Sequence, residues 1–189
     1  MPITIPNLLT MFRIVAIPLV VVIYYLPFSW ASQASGLVFG LAAITDMLDG
    51  YLARSLNQTT RFGAFLDPVA DKLIVATALV VLVQSDPSIL MMVIAAVIIG
   101  REITISALRE WMSELGASVY VKVSIFGKWK TAFQMFGIGF RLYHEPSFGL
   151  PVYETGMFLL IIASILTIWS MADYLKSAWS VIQKDIDDN

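Results

Sequence analysis

Long apolar stretches recur along the whole chain, and they constrain its fold more than any other feature. A helix needs about 20 residues to cross a hydrocarbon layer about 30 Å thick. Hydrophobic residues make up 58% of the 189 residues and charged residues only 14%, whereas a soluble domain keeps about a quarter of its residues charged. These proportions exclude soluble, disordered, fibrous and coiled-coil proteins. The sequence predicts a polytopic membrane protein.

The apolar stretches predict an all-α bundle of six transmembrane helices that forms a single domain over residues 1–189. The connections between them are short, and no repeat or linker divides the chain. Helices are favoured because a segment in lipid must satisfy its own backbone polar groups. Residues 1–10 precede the first full span and predict a short N-terminal interfacial helix. The predicted spans are 12–28, 35–53, 68–84, 88–108, 129–145 and 152–175.

Basic residues lie almost entirely on one side of this predicted bundle. All of the 12 Lys and Arg residues except Arg141 flank span ends on the side of the N-terminus, and the connections near 29–34 and 85–88 carry none. The positive-inside rule assigns the basic side to the cytoplasm. With six spans, both chain termini are predicted to be cytoplasmic as well. Arg141 and His144 are predicted to lie in a solvated loop on the opposite side.

The scarcity of cysteine and histidine limits the chemistry that the chain can perform. There is no cysteine and a single histidine. Disulfides, thiolate metal sites and a cysteine nucleophile are therefore excluded, and a histidine-rich metal site or a Ser-His-Asp triad is disfavoured. No basic run of the kind that binds phosphate backbones is present, so no nucleic-acid partner is expected.

Four aspartates lie at the cytoplasmic ends of the second and third predicted spans. Asp46 and Asp49 are three residues apart and Asp67 and Asp71 are four apart, so each pair lies on one helix face. Charges at such depth in a membrane cost roughly several kcal/mol each unless they are paired or ligated. The short connection between the two spans predicts antiparallel neighbouring helices whose aspartates face each other.

Crowded carboxylates repel one another unless a cation neutralises them. Few basic residues lie nearby in the sequence, so a metal site is favoured over the structural alternative, an internal network of ion pairs. Hard divalent cations prefer oxygen ligands, which favours Mg²⁺ or Mn²⁺ over Zn²⁺. Four carboxylates can hold two ions about 4 Å apart, the arrangement that clamps a phosphoryl group.

Small residues accompany the aspartates. Gly50 and Ala53 flank Asp46 on its helical face, and Gly63 lies one turn before the third aspartate. Small side chains leave room either for a ligand or for a neighbouring helix, and the pattern alone does not separate these two uses. Arg54 follows directly and could bind a diphosphate oxygen in fork geometry.

The residues between Asp46 and Asp71 form the pattern D-x-x-D-G-x-x-A-R-x8-G-x-x-x-D-x-x-x-D, with every fixed position filled. This pattern resembles the signature of the CDP-alcohol phosphotransferase family, integral membrane enzymes with six transmembrane helices. The signature covers only residues 46–71, but the chain length and the placement of the motif on the second and third spans agree with the family as well. The resemblance implies transfer of a phosphoryl-linked group from a CDP-activated donor to an alcohol.

The resemblance also implies a role for each residue of the signature. Two ions, Mg²⁺ or Mn²⁺, would be bound by the aspartates, with Asp46 and Asp67 bridging them. Asp71 would also act as the general base on the acceptor hydroxyl. The remaining signature residues and the N-terminal helix would border the CDP moiety. The implied metal ligands are Asp46, Asp49, Asp67 and Asp71, and the implied CDP contacts are Asn7, Thr10, Gly50, Ala53, Arg54, Thr60 and Gly63.

Basic residues beyond the signature bear on the identity of the acceptor. Arg101 and Arg109 are eight residues apart and can share one helix face, and Lys128 begins the fifth predicted span on the same side. Three convergent cations would suit an acceptor that carries a phosphate. Two other interpretations stay open, since basic residues are expected there as positive-inside anchors and Glu102 and Glu110 could pair with the arginines.

The whole chain further resembles the bacterial branch of this family that uses sn-glycerol 3-phosphate as acceptor. This resemblance implies CDP-diacylglycerol as donor, the bacterial inner membrane as location, a homodimer, and Arg101, Arg109 and Lys128 as ligands of the acceptor phosphate. The alternatives are a sister enzyme that uses serine, inositol phosphate or phosphatidylglycerol, a membrane prenyl transferase, and a divalent-cation transporter. The resemblance is carried by Ile-Pro-Asn7-Leu-Leu-Thr10-Met-Phe-Arg13, Phe-Leu-Asp67-Pro-Val-Ala-Asp71-Lys72, Arg101-Glu102 and Gly127-Lys128-x-Lys130-Thr131.

Overall fold

The described part of the chain is helical throughout, as the apolar pattern predicts. The computed structural model describes residues 4–55, 60–114, 125–146, 149 and 151–188, and these form helices and no strand. The helices are α1 (Ile5–Tyr24), α2 (Ala31–Ser55), α3 (Arg61–Ser85), α4 (Ile89–Glu114), α5 (Ile125–Tyr143) and α6 (Val152–Asp188).

Three of these helices are long and apolar enough to cross a membrane. The qualifying segments within the described residues are Asn7–Tyr24 in α1, Ile89–Glu114 in α4 and Val152–Lys176 in α6. Large apolar side chains also stand on the outside of the bundle, Leu8 and Phe158 among them. These features agree with a membrane-associated chain. That α2, α3 and α5 also span the membrane stays a prediction.

The N-terminal residues predicted as a separate interfacial helix instead begin α1. Thr4 has extended backbone and caps the helix, because its side chain accepts a hydrogen bond from the Asn7 amide at 3.4 Å. Pro6 follows within the first turn, where its missing N–H leaves no hydrogen bond unmade. The helix then runs without a break to Tyr24, with Pro18 inside it. Asn7, Thr10 and Arg13 consequently lie along one face of a single helix.

The packing order of the helices differs from their order along the chain. α1 packs extensively against both α2 and α3, whereas α2 and α3 make only sparse contact with each other. The apolar core around α1 includes Ala16, Val20, Phe39 and Leu79. The two aspartate-bearing helices therefore touch as predicted, but most of their packing is against α1. The two halves of the signature face each other across α1.

A buried ion pair joins the helix ends opposite the signature. Arg141 on α5 is only 2% exposed and donates to Asp86, the C-terminal cap of α3. Its guanidinium carbon lies 3.5 Å from the centroid of the Tyr153 ring on α6. The helices are so close that a Cβ on Gly156 would lie 2.9 Å from Arg141 Cγ. The prediction of a solvated loop is wrong for Arg141, which lies in α5 and is neutralised by Asp86, and it is confirmed for His144, which is exposed.

Candidate active site

The signature aspartates converge on one guanidinium group. Asp46 lies in the second half of α2, and Asp67 and Asp71 lie near the start of α3, so the helices bring them to the same end of the bundle. Arg13 of α1 donates through Nη1 to Asp46 Oδ1 at 2.8 Å and to Asp71. Its Nη2 donates to Asp67 Oδ1 at 3.5 Å. The convergence predicted from helical spacing is therefore present for these three carboxylates.

Arg13 is a site residue that the sequence analysis missed. It is 0% exposed, whereas the three aspartate side chains around it are 30% to 37% exposed. The prediction that few cations lie near the aspartates is wrong, because α1 is distant in sequence but packs against both helices. The available signal was the spacing of three that places Arg13 on the same face as Asn7 and Thr10.

A second set of contacts joins the first turns of α1 and α3. Thr10 donates to Asp67, and Thr60 Oγ1 donates to Asn7 Oδ1 at 3.0 Å. Thr60 is also the N-cap of α3, since its Oγ1 accepts a hydrogen bond from the Gly63 amide at 3.0 Å. A Cβ on Gly63 would lie 2.6 Å from Asn7 Oδ1. Residues that the family resemblance assigns to CDP are thus brought together, and their close approach requires glycine at this position.

Part of the predicted site lies outside the described side chains. The structure describes the backbone of five predicted site residues but not their side chains. Asp49, Gly50, Ala53 and Arg54 lie in α2, and Lys128 lies in α5. Their roles stay predictions.

The carboxylates fit a hard divalent cation by their chemistry. Asp46, Asp67 and Asp71 offer partly exposed oxygens within reach of one common cationic group. Among the described side chains no acidic group of three is arranged around a metal position, and the carboxylates surround Arg13 instead. The side chain of Asp49 is outside that comparison. The residue types agree with the predicted Mg²⁺ or Mn²⁺, and the number of ions stays a prediction.

A second polar cluster joins α4 to the start of α5. Arg101 Nη1 donates to Glu102 Oε1 at 2.6 Å, and Lys130 Nζ lies 3.4 Å from the same oxygen. Lys130 is 4% exposed, and the Nε of Arg101 is buried without a hydrogen-bond partner. Lys130 was not among the residues assigned to the acceptor phosphate, although it lies only two positions after Lys128. Residues two apart point to different sides of a helix. This spacing could have predicted that Lys128 and Lys130 have different surroundings.

Arg109 lies two turns beyond Arg101 on α4 and contacts α6. Its guanidinium carbon lies 5.6 Å from the centroid of the Tyr174 ring, within the range of a cation–π interaction. Tyr174 is 7% exposed, whereas Arg109 is exposed. The Tyr174 ring therefore packs against the Arg109 side chain, and the Arg109 guanidinium stays accessible to a ligand.

Comparisons with known proteins show the family to which the chain belongs. The family model described as CDP-alcohol phosphatidyltransferase matches residues 3–169. The CDP-diacylglycerol–glycerol-3-phosphate 3-phosphatidyltransferase of Salmonella choleraesuis (strain SC-B67) is 51% identical over 178 residues, which cover 94% of this chain and 96% of that protein. The proteins of the same name from Pseudomonas fluorescens and Escherichia coli (strain K12) are 50% and 48% identical, covering 96% and 94% of this chain and 93% and 96% of their own lengths. Because the family match spans most of the chain and includes the aspartate signature, the chain belongs to the CDP-alcohol phosphatidyltransferase family.

Proposed function

We propose that the chain transfers the phosphatidyl group of CDP-diacylglycerol to sn-glycerol 3-phosphate, which yields phosphatidylglycerophosphate and CMP. Relatives about half identical over nearly the whole chain carry this activity in their names. The structural observation that carries the proposal is the convergence of Asp46, Asp67 and Asp71 at one end of the bundle. Clustered carboxylates at a membrane surface suit a reaction that handles a diphosphate through divalent ions.

The membrane location follows from the donor and from the helices. A diacylglycerol tail stays in the hydrocarbon while the cytidine head group must reach aqueous side chains. The apolar segments of α1, α4 and α6 suit the first requirement, and the partly exposed aspartates suit the second. We place the site at the cytoplasmic face of the bacterial inner membrane, with six spans and both termini on that face. The implied homodimer is tested by the mass of the protein in detergent.

The donor is held in this proposal between the first turns of α1 and α3. Asn7 and Thr60 are joined by a hydrogen bond there, and Gly63 leaves the space that they need. Thr10 donates to Asp67 and so links the nucleotide contacts to the carboxylates. The signature residues whose side chains the structure does not describe complete this pocket: they are Gly50, Ala53 and Arg54.

In this proposal the aspartates act on both the donor diphosphate and the acceptor hydroxyl. Asp46, Asp49, Asp67 and Asp71 would hold two Mg²⁺ or Mn²⁺ ions, which when bound neutralise the charge that builds on the diphosphate. Asp71 accepts the proton of the acceptor hydroxyl. That oxygen forms the new bond to the phosphorus that carries the lipid, and the bond from this phosphorus to the CMP oxygen breaks.

The acceptor phosphate is bound in this proposal by the basic residues of α4 and α5. Arg101 and Arg109 lie on one helix, and the Tyr174 ring supports Arg109. Guanidinium groups bind phosphate oxygens through paired N–H donors, which favours arginine for this task. Lys128 is the third proposed ligand. These positive charges are not needed to bind an acceptor without a phosphate. They therefore favour glycerol 3-phosphate over serine as the acceptor.

The test is CMP release by the purified protein in micelles that contain CDP-diacylglycerol and Mg²⁺. Glycerol 3-phosphate, glycerol, serine, inositol phosphate and phosphatidylglycerol are compared as acceptors, with a chelator and Asp71→Asn as controls. We expect release with glycerol 3-phosphate alone, lost in both controls. Release with a different acceptor would overturn the assigned substrate, and no release from protein that binds Mg²⁺ would favour the transporter.

Charge removal then tests the acceptor pocket. Arg101→Gln and Arg109→Gln should each raise the KM for glycerol 3-phosphate about tenfold or more and change the KM for the donor little. Lys176→Gln is the matched control, because Lys176 is an exposed basic residue of α6 outside the proposed pocket. A raised KM for CDP-diacylglycerol instead would move the arginine to the nucleotide.

A further inference from the structure

Arg13 is a buried charge to which the proposed transfer assigns no role. It is 0% exposed on α1, and its guanidinium contacts Asp46, Asp67 and Asp71. A buried cation is tolerated only where opposite charges surround it, and here three carboxylates supply them. The contact set joins all three helices of the site, because the partners of Arg13 lie on α2 and α3.

The dependence between Arg13 and the aspartates runs in both directions. Carboxylates that share a site repel each other and resist ionisation unless a positive charge lies among them. Arg13 is the described cation that contacts all three, through Nη1 to Asp46 and Asp71 and through Nη2 to Asp67. The guanidinium therefore offsets the repulsion among the carboxylates and holds them close together.

A divalent ion would share the three carboxylates with Arg13, which contacts Oδ1 of each. Mg²⁺ takes oxygen ligands at about 2.0–2.1 Å in near-octahedral geometry, and it would repel a guanidinium at the same carboxylates. The described acidic side chains are not arranged around a metal position but around Arg13. Metal binding therefore weakens the contacts between the guanidinium and these carboxylates.

We propose that Arg13 is the built-in counter-cation of the carboxylate cluster. It holds the three carboxylates together while divalent ions are absent and gives up contacts to them when the ions bind. Arg13 is thus a positioning residue that assembles the site in advance and at the same time weakens its affinity for metal. This inference rests on the proposed function in one respect, namely that the aspartates bind divalent ions.

The experiment measures Mn²⁺ binding to the substrate-free protein in detergent, by the electron paramagnetic resonance signal of free Mn²⁺. Arg13→Gln removes the charge and keeps a polar side chain, although a shorter one. We expect the variant to bind Mn²⁺ about tenfold more tightly than the wild type, since a competing cation has been removed. Its melting temperature should fall when metal is absent and recover at saturating Mn²⁺.

Two further variants make the result specific. Arg141→Gln is the matched control, because Arg141 is also a buried arginine paired with an aspartate, at the opposite end of the bundle. It should lower the melting temperature with and without Mn²⁺ and leave the Mn²⁺ affinity unchanged. Arg13→Lys keeps the positive charge, so its Mn²⁺ affinity should stay within about threefold of the wild type.

Three results would overturn the inference. The first is an unchanged or weaker Mn²⁺ affinity in Arg13→Gln, and the second is equal tightening in Arg13→Lys. The third is an Arg13→Gln protein that stays unfolded at saturating Mn²⁺, because Arg13 would then be needed with the ions in place. Failure of the proposed transfer looks different, since it shows as normal Mn²⁺ binding without CMP release from the wild type.

Discussion

Gly63→Ala tests the donor pocket at the point where its packing is tightest. The added Cβ would lie 2.6 Å from Asn7 Oδ1, closer than real Cβ contacts allow, and 3.0 Å from Thr60 Oγ1, which is tighter than most of them. The Asn7 side chain must move, which breaks its hydrogen bond with Thr60. The N-cap bond from Thr60 to the amide of residue 63 is strained as well.

The expected rise in the KM for the donor can be estimated from these contacts. Each of the two side-chain hydrogen bonds contributes about 1 kcal/mol, and alanine returns about 0.5–1 kcal/mol relative to glycine within a helix. The net loss is about 1–1.5 kcal/mol, and it weakens the arrangement of Asn7 and Thr60 that is proposed to bind the nucleotide. Since 1.4 kcal/mol is about a factor of ten in binding, we expect the KM for CDP-diacylglycerol to rise about tenfold.

The assay is steady-state CMP release with the donor varied in mixed micelles at saturating glycerol 3-phosphate. Gly40→Ala is the matched control, because a Cβ on Gly40 of α2 would meet nothing within 4 Å. That variant should keep the wild-type KM for both substrates and melt at the same temperature or higher. A wild-type donor KM in Gly63→Ala, or an equal rise in the KM for glycerol 3-phosphate, would refute the reasoning.

Other variants test the base, the acceptor support and the distal ion pair. Asp71→Asn should abolish turnover while CDP binding, measured by calorimetry, largely survives; near-normal turnover would remove Asp71 as the base. Tyr174→Leu should raise the KM for glycerol 3-phosphate about threefold by removing the ring beside Arg109, and Tyr174→Phe should restore it; equal effects of both variants would contradict the cation–π support. Asp86→Asn should destabilise the protein by about 3 kcal/mol, seen as a lower melting temperature, because Arg141 loses its buried carboxylate partner. The double variant with Arg141→Met should recover most of that loss, and an unaltered melting temperature in the single variant would show that the pair contributes little.

Local periodicity was sufficient to predict much of the carboxylate site. Asp67 and Asp71 share a face because they are four residues apart on one helix, and the connection to Asp46 is short enough to bring all three to one end. The helices themselves followed from the apolar stretches. These inferences succeed because each depends on geometry within one helix or between consecutive helices.

Contacts between distant segments could not be predicted in the same way. Arg13 is 58 residues from Asp71, and only the packing of α1 against α2 and α3 brings them together. Arg141 looked like a loop residue because its neutralising partner, Asp86, is 55 residues away. In both cases a charge inside an apolar stretch was the available signal, but the sequence pattern does not specify which helix supplies the opposite charge.

The carboxylate centre and the basic residues proposed to bind the acceptor lie in different halves of the chain. Every described contact of the carboxylate centre lies within α1, α2 and α3, whereas Arg101, Arg109 and Lys130 lie on α4 and α5. In the proposed function, residues of the first half of the chain bind the activated donor and residues of the second half bind the acceptor alcohol. On this proposal, a new acceptor specificity requires exchanges only in α4 and α5, while the carboxylate centre of α1, α2 and α3 stays unchanged.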